Sequence, residues 1–444
     1  MNNPNLSTTQ PETTGRYLVL LQEDAVEAGI QFLNDSAGVR NFVKATQFEG
    51  SDVTADVVEG TDTLVFDNLG VAVVTAEPDQ FMAMSTMAEG TSPIVAVEPE
   101  RVVYASSDTG SHPPGQPITS APGNLSLEYL RGYRDAIVNL VDNVNVTAEP
   151  AGVKQATLEE NELTWGLQIT KADQSPFSGR GIKVAVLDTG FDLTHPDFAG
   201  RQITTSSFIT NEEVQDKQGH GTHCIGTACG PRTLLTPPGY GVAYNSEIYA
   251  GKVLSNRGSG SDGGILAGIQ WAVANGCQVI SMSLGAPTFQ GQRYSRVFEA
   301  AAKRALRRGS LIIAAAGNES RRDLSRFNPV GHPANCPSIM AVGALTVELK
   351  LGFFSNRGFD WRGGQVDIAG PGVNIFSSWP MPARYNTISG TSMATPHVAG
   401  IAALYAEANP YAGPEVLWSL LTQNARRLVL PSVDVGSGLA QAPC

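Results

Sequence analysis

Apolar and polar positions alternate along this chain in two different rhythms. In the first quarter, Tyr17–Leu21 reads as a strand, and Asp24–Leu33 as a helix with apolar residues three and four apart. Thr63–Asp67 and Gly70–Thr75 read as strands joined by a tight turn at Asn68-Leu69. Pro78–Glu89 reads as a second helix and Ile94–Val97 as a last strand. From Gly181 the rhythm changes to apolar strands separated by helices: Lys183–Leu187, a helix from His220, Glu247–Val253, a helix over Asp262–Ala274, Val279–Ser283, a helix near Ser295–Arg308, then Leu311–Ala316 and Ile339–Val342. Near-continuous apolar strands between helices predict a mostly parallel sheet covered on both faces, an α/β doubly wound fold.

The first rhythm, strand, helix, strand, strand, helix, strand, is the order of the ferredoxin-like α+β unit. Its first helix and second strand are separated by a Gly/Asp-rich stretch at Gly50–Thr61. The organisation read from the chain is a polar tail over 1–15, a small α+β domain over 16–105, a linker over 106–160 and the α/β domain over 161–444. The linker opens on the Ser/Pro/Gly-rich Ser106–Gly123, and Leu127–Val141 has the spacing of a short amphipathic helix.

Composition narrows the function. At 444 residues and 42% hydrophobic the chain can bury a sizeable core, and no apolar run reaches the roughly 18 residues of a membrane span. The net charge of −12 is unevenly spread. Residues 1–150 carry 6 Lys/Arg against 21 Asp/Glu, and residues 151–444 carry 24 against 21. Nucleic acid is not an expected partner, because phosphate binding needs a basic surface. The two halves are complementary in charge, which suits either two pieces that dock on each other or a solvated acidic domain. The amino terminus has neither a basic n-region nor an apolar h-region, so the expected location is cytoplasmic, with export by a route other than a signal peptide as the exception. Five cysteines, Cys224, Cys229, Cys277, Cys336 and Cys444, form no disulfide framework. One bridge, Cys277–Cys336, is the pair to look for. A monomer is the default.

Three segments carry chemistry. Val184–Asp188 followed by Thr189-Gly190 puts a carboxylate at the carboxyl end of a buried strand, the edge where α/β sheets build their sites. Asp216-Lys217-Gln218-Gly219-His220-Gly221-Thr222-His223-Cys224 puts His220 at a helix start. A zinc reading of His220 and His223 lacks a third ligand. Ser389-Gly390-Thr391-Ser392 turns sharply into a helix, so Ser392 sits where a backbone N–H and the positive helix end favour an oxyanion. Together, in the order Asp, His, Ser, they supply the parts of nucleophilic acyl transfer.

With these segments in view, the chain resembles the subtilisin-like serine proteases, the subtilases, over about 165–442. The chain order Asp, His, Ser is the one known for subtilisin. The resemblance implies a triad of Asp188, His220 and Ser392, with Asn318 of Ala314-Ala315-Ala316-Gly317-Asn318-Glu319 and the Ser392 N–H as oxyanion donors. It implies a cleft in which an extended protein or peptide substrate adds a strand between Gly258-Ser259-Gly260 and Ser283-Leu284-Gly285. The pocket for the residue before the scissile bond would be lined by Ser283–Gly285, Ala315, Ala316, Gly317 and Gly331, whose small side chains suit a large uncharged residue. Arg321 and Arg322, just past the oxyanion block, would favour an acidic residue if they leaned over that pocket. The front domain resembles the inhibitor-type propeptide of such enzymes, implying a zymogen whose own propeptide is cut off autocatalytically within 106–160.

Gly230–Gly241 does not resemble the calcium loop of bacterial subtilisins, although Asp197 matches a calcium-ligand position. Cys224 and the following Arg232-Thr233 look more like the proteinase K branch. No cofactor is required for the chemistry, no metal ligand is assigned, and a structural calcium is doubtful. Three other readings compete: an aspartic protease using Asp108 and Asp188, a pseudoprotease binding module, and a dedicated processing protease for a single partner.

Overall fold

The computed structural model describes residues 12–48, 61–88, 92–105, 162–233, 238–359 and 363–444. The expected linker helix at 127–141 and most of the Gly/Asp-rich stretch lie outside them. The first rhythm folds into β1 (Thr13–Leu21), α1 (Val26–Ala37), β2 (Phe42–Lys44), β3 (Thr63–Phe66), β4 (Val71–Val74), α2 (Pro78–Met87) and β5 (Ile94–Ala105). The strands lie in the order β5-β1-β4-β3-β2. All neighbours are antiparallel except β2, which adds parallel to β3.

Both faces of this front sheet are apolar, for a reason visible in its alternation. Val19, Leu21, Val65, Ala72 and Val74 meet Leu33 of α1 and Met84 of α2. The residues between them, Leu18, Leu20, Leu64, Phe66, Val71 and Val73, join a different core that also holds Ile265, Leu266, Val297 and Ala301. Those four belong to the second domain, so one face of the front sheet is covered by its own helices and the other by its neighbour's.

The second rhythm gives β6 (Lys183–Asp188), β7 (Ile203–Ser207), β8 (Glu247–Lys252), β9 (Ser259–Ser261), β10 (Val279–Met282), β11 (Leu284–Gly285), β12 (Leu311–Ala315), β13 (Met340–Leu345) and β14 (Ile368–Pro371). Seven of these form a parallel sheet in the order β14-β13-β12-β10-β6-β8-β7. A hairpin of β15 (Ile375–Ser378) and β16 (Tyr385–Ile388) stands apart. The helices are α3 (Trp165–Ile169), α4 (His220–Cys229), α5 (Asp262–Ala274), α6 (Arg296–Arg307), α7 (Thr391–Ala408), α8 (Pro414–Gln423) and α9 (Ser432–Val435). α4 packs on α7, while α5 and α6 touch both the parallel sheet and the front sheet. The doubly wound reading therefore holds. α5 is buried on nearly every side because it lies between two sheets.

The front sheet is held by charges as well as apolar area. Gly263 N donates to Glu100 Oε1 at 2.8 Å and Arg296 N to Glu98 Oε1 at 2.6 Å, so two front-domain carboxylates sit at the amino ends of α5 and α6. Unpaired N–H groups and the helix dipole favour anions there. Arg16 pairs with the buried Glu100 at 2.7 Å. In the other direction, buried Arg304 of α6 donates to Leu69 O and, at 3.0 Å, to Leu21 O. Gly70 leaves room for that guanidinium: a Cβ there would lie 2.0 Å from Arg304 Nη1. The charge asymmetry of the sequence thus has a structural counterpart.

Three expectations change. The last front strand does not end at Val97 but runs to Ala105, because its final residues pair with the second domain. β7, β14 and the β15–β16 hairpin were not legible as strands. All five cysteines are free, so the Cys277–Cys336 bridge is not formed.

Candidate active site

Asp188 is the last residue of β6, His220 the first of α4 and Ser392 the second of α7. Parallel pairing of β6 with β8 and β10 fixes the edge on which Asp188 stands. Asp216 sets the start of α4. Its Oδ1 accepts from Gly219 N at 2.9 Å and its Oδ2 from Thr222 N at 2.9 Å, occupying N–H groups that a helix leaves unpaired. Thr189 joins strand to helix: its hydroxyl donates to Asp216 Oδ1 at 3.0 Å and accepts from Gly221 N at 2.8 Å. A Cβ at Gly221 would lie 2.3 Å from Gly190 O, so only glycine permits this approach.

The result is an imidazole clamped to a carboxylate. His220 Nδ1 lies 2.7 Å from Asp188 Oδ1, both side chains are buried, and Thr189 N also donates to that oxygen at 2.7 Å. His220 Nε2 is buried and has no hydrogen-bond partner among the described residues. Burial pulls the imidazolium's pKa down, but the Asp188 charge outweighs it and holds His220 well above its ordinary value. Beneath the ring, Cys224 Sγ is 3.8 Å from Nδ1, and burial pushes that thiol up, keeping it protonated. His223 points elsewhere, donating Nε2–H to Ile375 O at 2.9 Å, and burial lowers its pKa to about 3. The zinc reading of the two histidines has no geometric basis. Among the described residues, the cluster of metal-type ligands that forms is Asp188, His220 and Cys224 themselves.

Ser392 occupies the first turn of α7, and Pro396 explains its surroundings. Proline has no N–H to donate back to residue 392. The Ser392 carbonyl instead accepts from Ser283 Oγ at 2.8 Å and Cys224 Sγ at 3.6 Å. Ser392 Oγ lies 3.2 Å from Ser283 O. Asn318 is fixed beside it: its Oδ1 accepts from Thr391 N at 2.9 Å and Thr391 Oγ at 2.8 Å. With the oxygen engaged, the donor end of the amide is the opposite one.

The expected cleft residues also converge. β9 and β11 flank the end of β5, with Tyr104 level with Ser259 and Gly285, Val103 with Gly260, and Ala105 with Leu284. Ala105 N donates to Gly258 O at 2.9 Å. Gly331 N donates to Ala316 O at 2.9 Å, placing Gly331 beside the Ala315–Gly317 turn. Arg322 is committed to Asp434 at 2.7 Å and Ser355 O, and exposed Arg321 pairs with Asp323 at 2.8 Å.

The surroundings of Asp197 do not fit calcium. Its Oδ1 accepts from Arg384 Nη2 at 2.7 Å and Tyr385 OH at 3.1 Å, and its Oδ2 accepts from Tyr240 OH at 2.8 Å. A guanidinium and two hydroxyl donors occupy the lone pairs a hard cation would need.

Asp216, Thr189 and Thr391 were not singled out from sequence. Asp216 carried the one available signal, an Asp a turn ahead of a helix start. Lys252 was read only as part of the Glu247–Val253 strand, yet its buried ammonium donates to Thr189 O at 2.5 Å and pairs with Glu212 at 3.2 Å.

Comparison with known proteins agrees with this geometry. The model of the subtilase family matches residues 179–439. An alkaline protease of Alkalihalobacillus alcalophilus is 38% identical over 292 residues, 65% of this chain and 71% of that protein. Subtilisin Savinase of Lederbergia lenta is 39% identical over 284 residues, 63% of this chain and 97% of that protein. Alkaline serine exoprotease A of Vibrio alginolyticus is 35% identical over 321 residues, 69% of this chain and 55% of that protein. A buried Asp–His pair, a serine at a helix start, an asparagine beside it and a family match over most of the second domain lead to one conclusion: the chain belongs to the subtilase family and is a subtilisin-like serine endopeptidase.

Proposed function

We propose that Asp188, His220 and Ser392 are the triad, and that residues 16–105 are an inhibitory propeptide removed by the enzyme itself. His220 Nε2 takes the Ser392 Oγ proton as Oγ attacks the scissile carbonyl. Asp188 holds the tautomer and stabilises the imidazolium. The oxyanion is met by the Asn318 amide and the Ser392 N–H at the positive end of α7. His220 returns the proton to the leaving amine, and water then hydrolyses the acyl-enzyme by the same route. Small residues at Ala315, Ala316, Gly317 and Gly331 favour a large uncharged residue before the cut. Calcium plays no part at Asp197.

The observation that carries the zymogen reading is the seating of β5 between β9 and β11, as an added substrate strand would sit. In this antiparallel register Ala105, the last residue of β5, is level with Leu284, whose neighbour Ser283 has its carbonyl 3.2 Å from Ser392 Oγ. The first cut is therefore expected at the start of the 106–160 segment, leaving that segment on the processed enzyme. Intact mass over time tests this on wild type and Ser392→Ala. The expected outcome is a wild-type fragment beginning near residue 107 and an uncut variant. Normal processing of the variant would overturn the triad, and a wild-type fragment beginning near 160 would overturn the register.

A further inference from the structure

We propose that Asp262 and His332 form a distal subsite that selects an arginine in the substrate four residues upstream of the one level with Leu284. This rests on the reading of β5 as an occupant of the substrate cleft. Its evidence is a second contact, well away from the triad.

Arg101 lies next to the cleft-bound end of β5, since Val102 pairs with Ser261. Asp262, the residue after Ser261, faces it. Asp262 Oδ2 accepts from Arg101 N at 3.1 Å and lies 3.6 Å from Arg101 Nη1. Asp262 Oδ1 accepts from His332 Nε2 at 2.8 Å. With Nε2 as the donor, His332 Nδ1 is an acceptor, and Arg101 Nη1 is 3.4 Å from it. One guanidinium nitrogen is thus shared between a carboxylate and an imidazole lone pair.

The arrangement is built rather than incidental. Asp262 is fully buried beneath the strand, His332 is nearly so, and the Phe298 ring packs edge-on against His332 at 4.6 Å. Among the described residues Arg101 also pairs with Glu98, 3.8 Å away and part of the front domain itself, so that partner leaves with the domain. Asp262 and His332 stay with the enzyme. Once β5 departs, a buried carboxylate held by one oxygen is left facing the cleft with its other oxygen uncovered. Any extended substrate supplies the main-chain N–H, and only a suitable side chain supplies the second donor. A guanidinium satisfies both acceptors with fixed geometry, which a glutamine side chain matches poorly in charge and an ammonium in reach.

The test compares two chromogenic hexapeptides on the self-processed enzyme, Arg-Val-Val-Tyr-Ala-Phe and the same sequence with Gln first, each carrying an anilide leaving group. The readout is the ratio of kcat/KM for the two within one enzyme preparation, which does not depend on how much of it is folded. The expected ratio is about tenfold in favour of arginine for wild type, falling to about twofold or less in Asp262→Asn. A lysine-first peptide should fall between. Equal rates on the first two peptides in wild type would overturn the subsite while leaving the protease reading intact. An arginine preference that survives Asp262→Asn would overturn it too. If neither peptide is cleaved, the reading of the cleft fails and the subsite with it.

Discussion

The two sheets of this protein are both buried, and they are buried differently. The parallel sheet sets Ala185, Leu187, Ile280, Met282, Ile312 and Ala314 against α5 and α6, while α4 and α7 pack on its other face. All of these helices belong to the same domain. The front sheet has helices of its own on one face only and rests its second face on α5 and α6. A sheet that borrows half its cover is stable only where the lender is present. Were the front domain removed, as proposed, the catalytic domain would lose a partner, whereas the front domain would lose one side of its core. That asymmetry suits a folded inhibitor that can be discarded without unmaking the enzyme.

Substitutions separate the two regions most sharply in the catalytic one, where they should remove chemistry and leave docking intact. Asp188→Asn should lower kcat by about 10⁴, the size known for the same change in a serine-protease triad. It should also shift the pH profile. In the proposed mechanism activity requires neutral His220, so it should rise with pH through that group's pKa. Asp188 holds the pKa above the ordinary 6.5, against burial, so the wild-type limb lies on the alkaline side. Without the Asp188 charge the limb should move to lower pH. A variant with lower kcat and an unmoved limb would contradict the geometry. Asn318→Ala should cost about 10²–10³ in kcat with KM nearly unchanged, the loss known for this donor in subtilisin. A rise in KM alone would make Asn318 a binding residue.

In the front region the order of effects should reverse, with docking weakened and chemistry kept. Arg304→Ala leaves the Leu69 and Leu21 carbonyls without their buried donor, costing about 1–3 kcal/mol of docking. Titrating processed enzyme with added residues 1–106 should show inhibition weakened roughly tenfold to a hundredfold, with kcat on a short peptide equal to wild type. Unchanged inhibition would mean that apolar contact alone holds the two sheets together.

The unequal legibility of the two regions has a physical basis. Lys183–Leu187, Val279–Ser283 and Leu311–Ala316 were readable because strands buried on both faces are continuous apolar runs. The candidates Asp188, His220 and Ser392 stood out because each stands in a long motif at a strand or helix end. β7 was missed because Ile203–Ser207 is a polar edge strand, and β14 because its Gly370 and Pro371 read as a turn. The extension of β5 through Glu98, Pro99, Glu100 and Arg101 looked like a charged loop. Those charges are contacts with α5, α6 and Asp262, and no local pattern announces a partner that lies more than 150 residues away. Asp216 and Thr391 act only through hydrogen bonds that the tertiary fold creates.

The smallest expected effect concerns a cation the molecule supplies for itself. The Asp197 side chain is buried, and by resemblance it matches a calcium-ligand position. Here Arg384 neutralises it at 2.7 Å, and Tyr240 and Tyr385 spend their hydroxyls on its oxygens. Desolvation, reinforced by the Asp197 charge, pushes the Tyr240 phenol far above its ordinary pKa, so it remains a donor throughout the working range. Arg384 reaches this carboxylate from the loop between β15 and β16, and its carbonyl accepts from His195 Nε2 at 2.8 Å. A chelator should therefore leave the melting temperature unmoved if this site governs it. Arg384→Ala should lower it, and added calcium should not restore it, because hydroxyl groups that already donate to a carboxylate are not arranged to hold a hard cation. Recovery by calcium would show that the arginine only shields a latent metal site; a chelator effect on wild type would place a stabilising ion elsewhere in the chain.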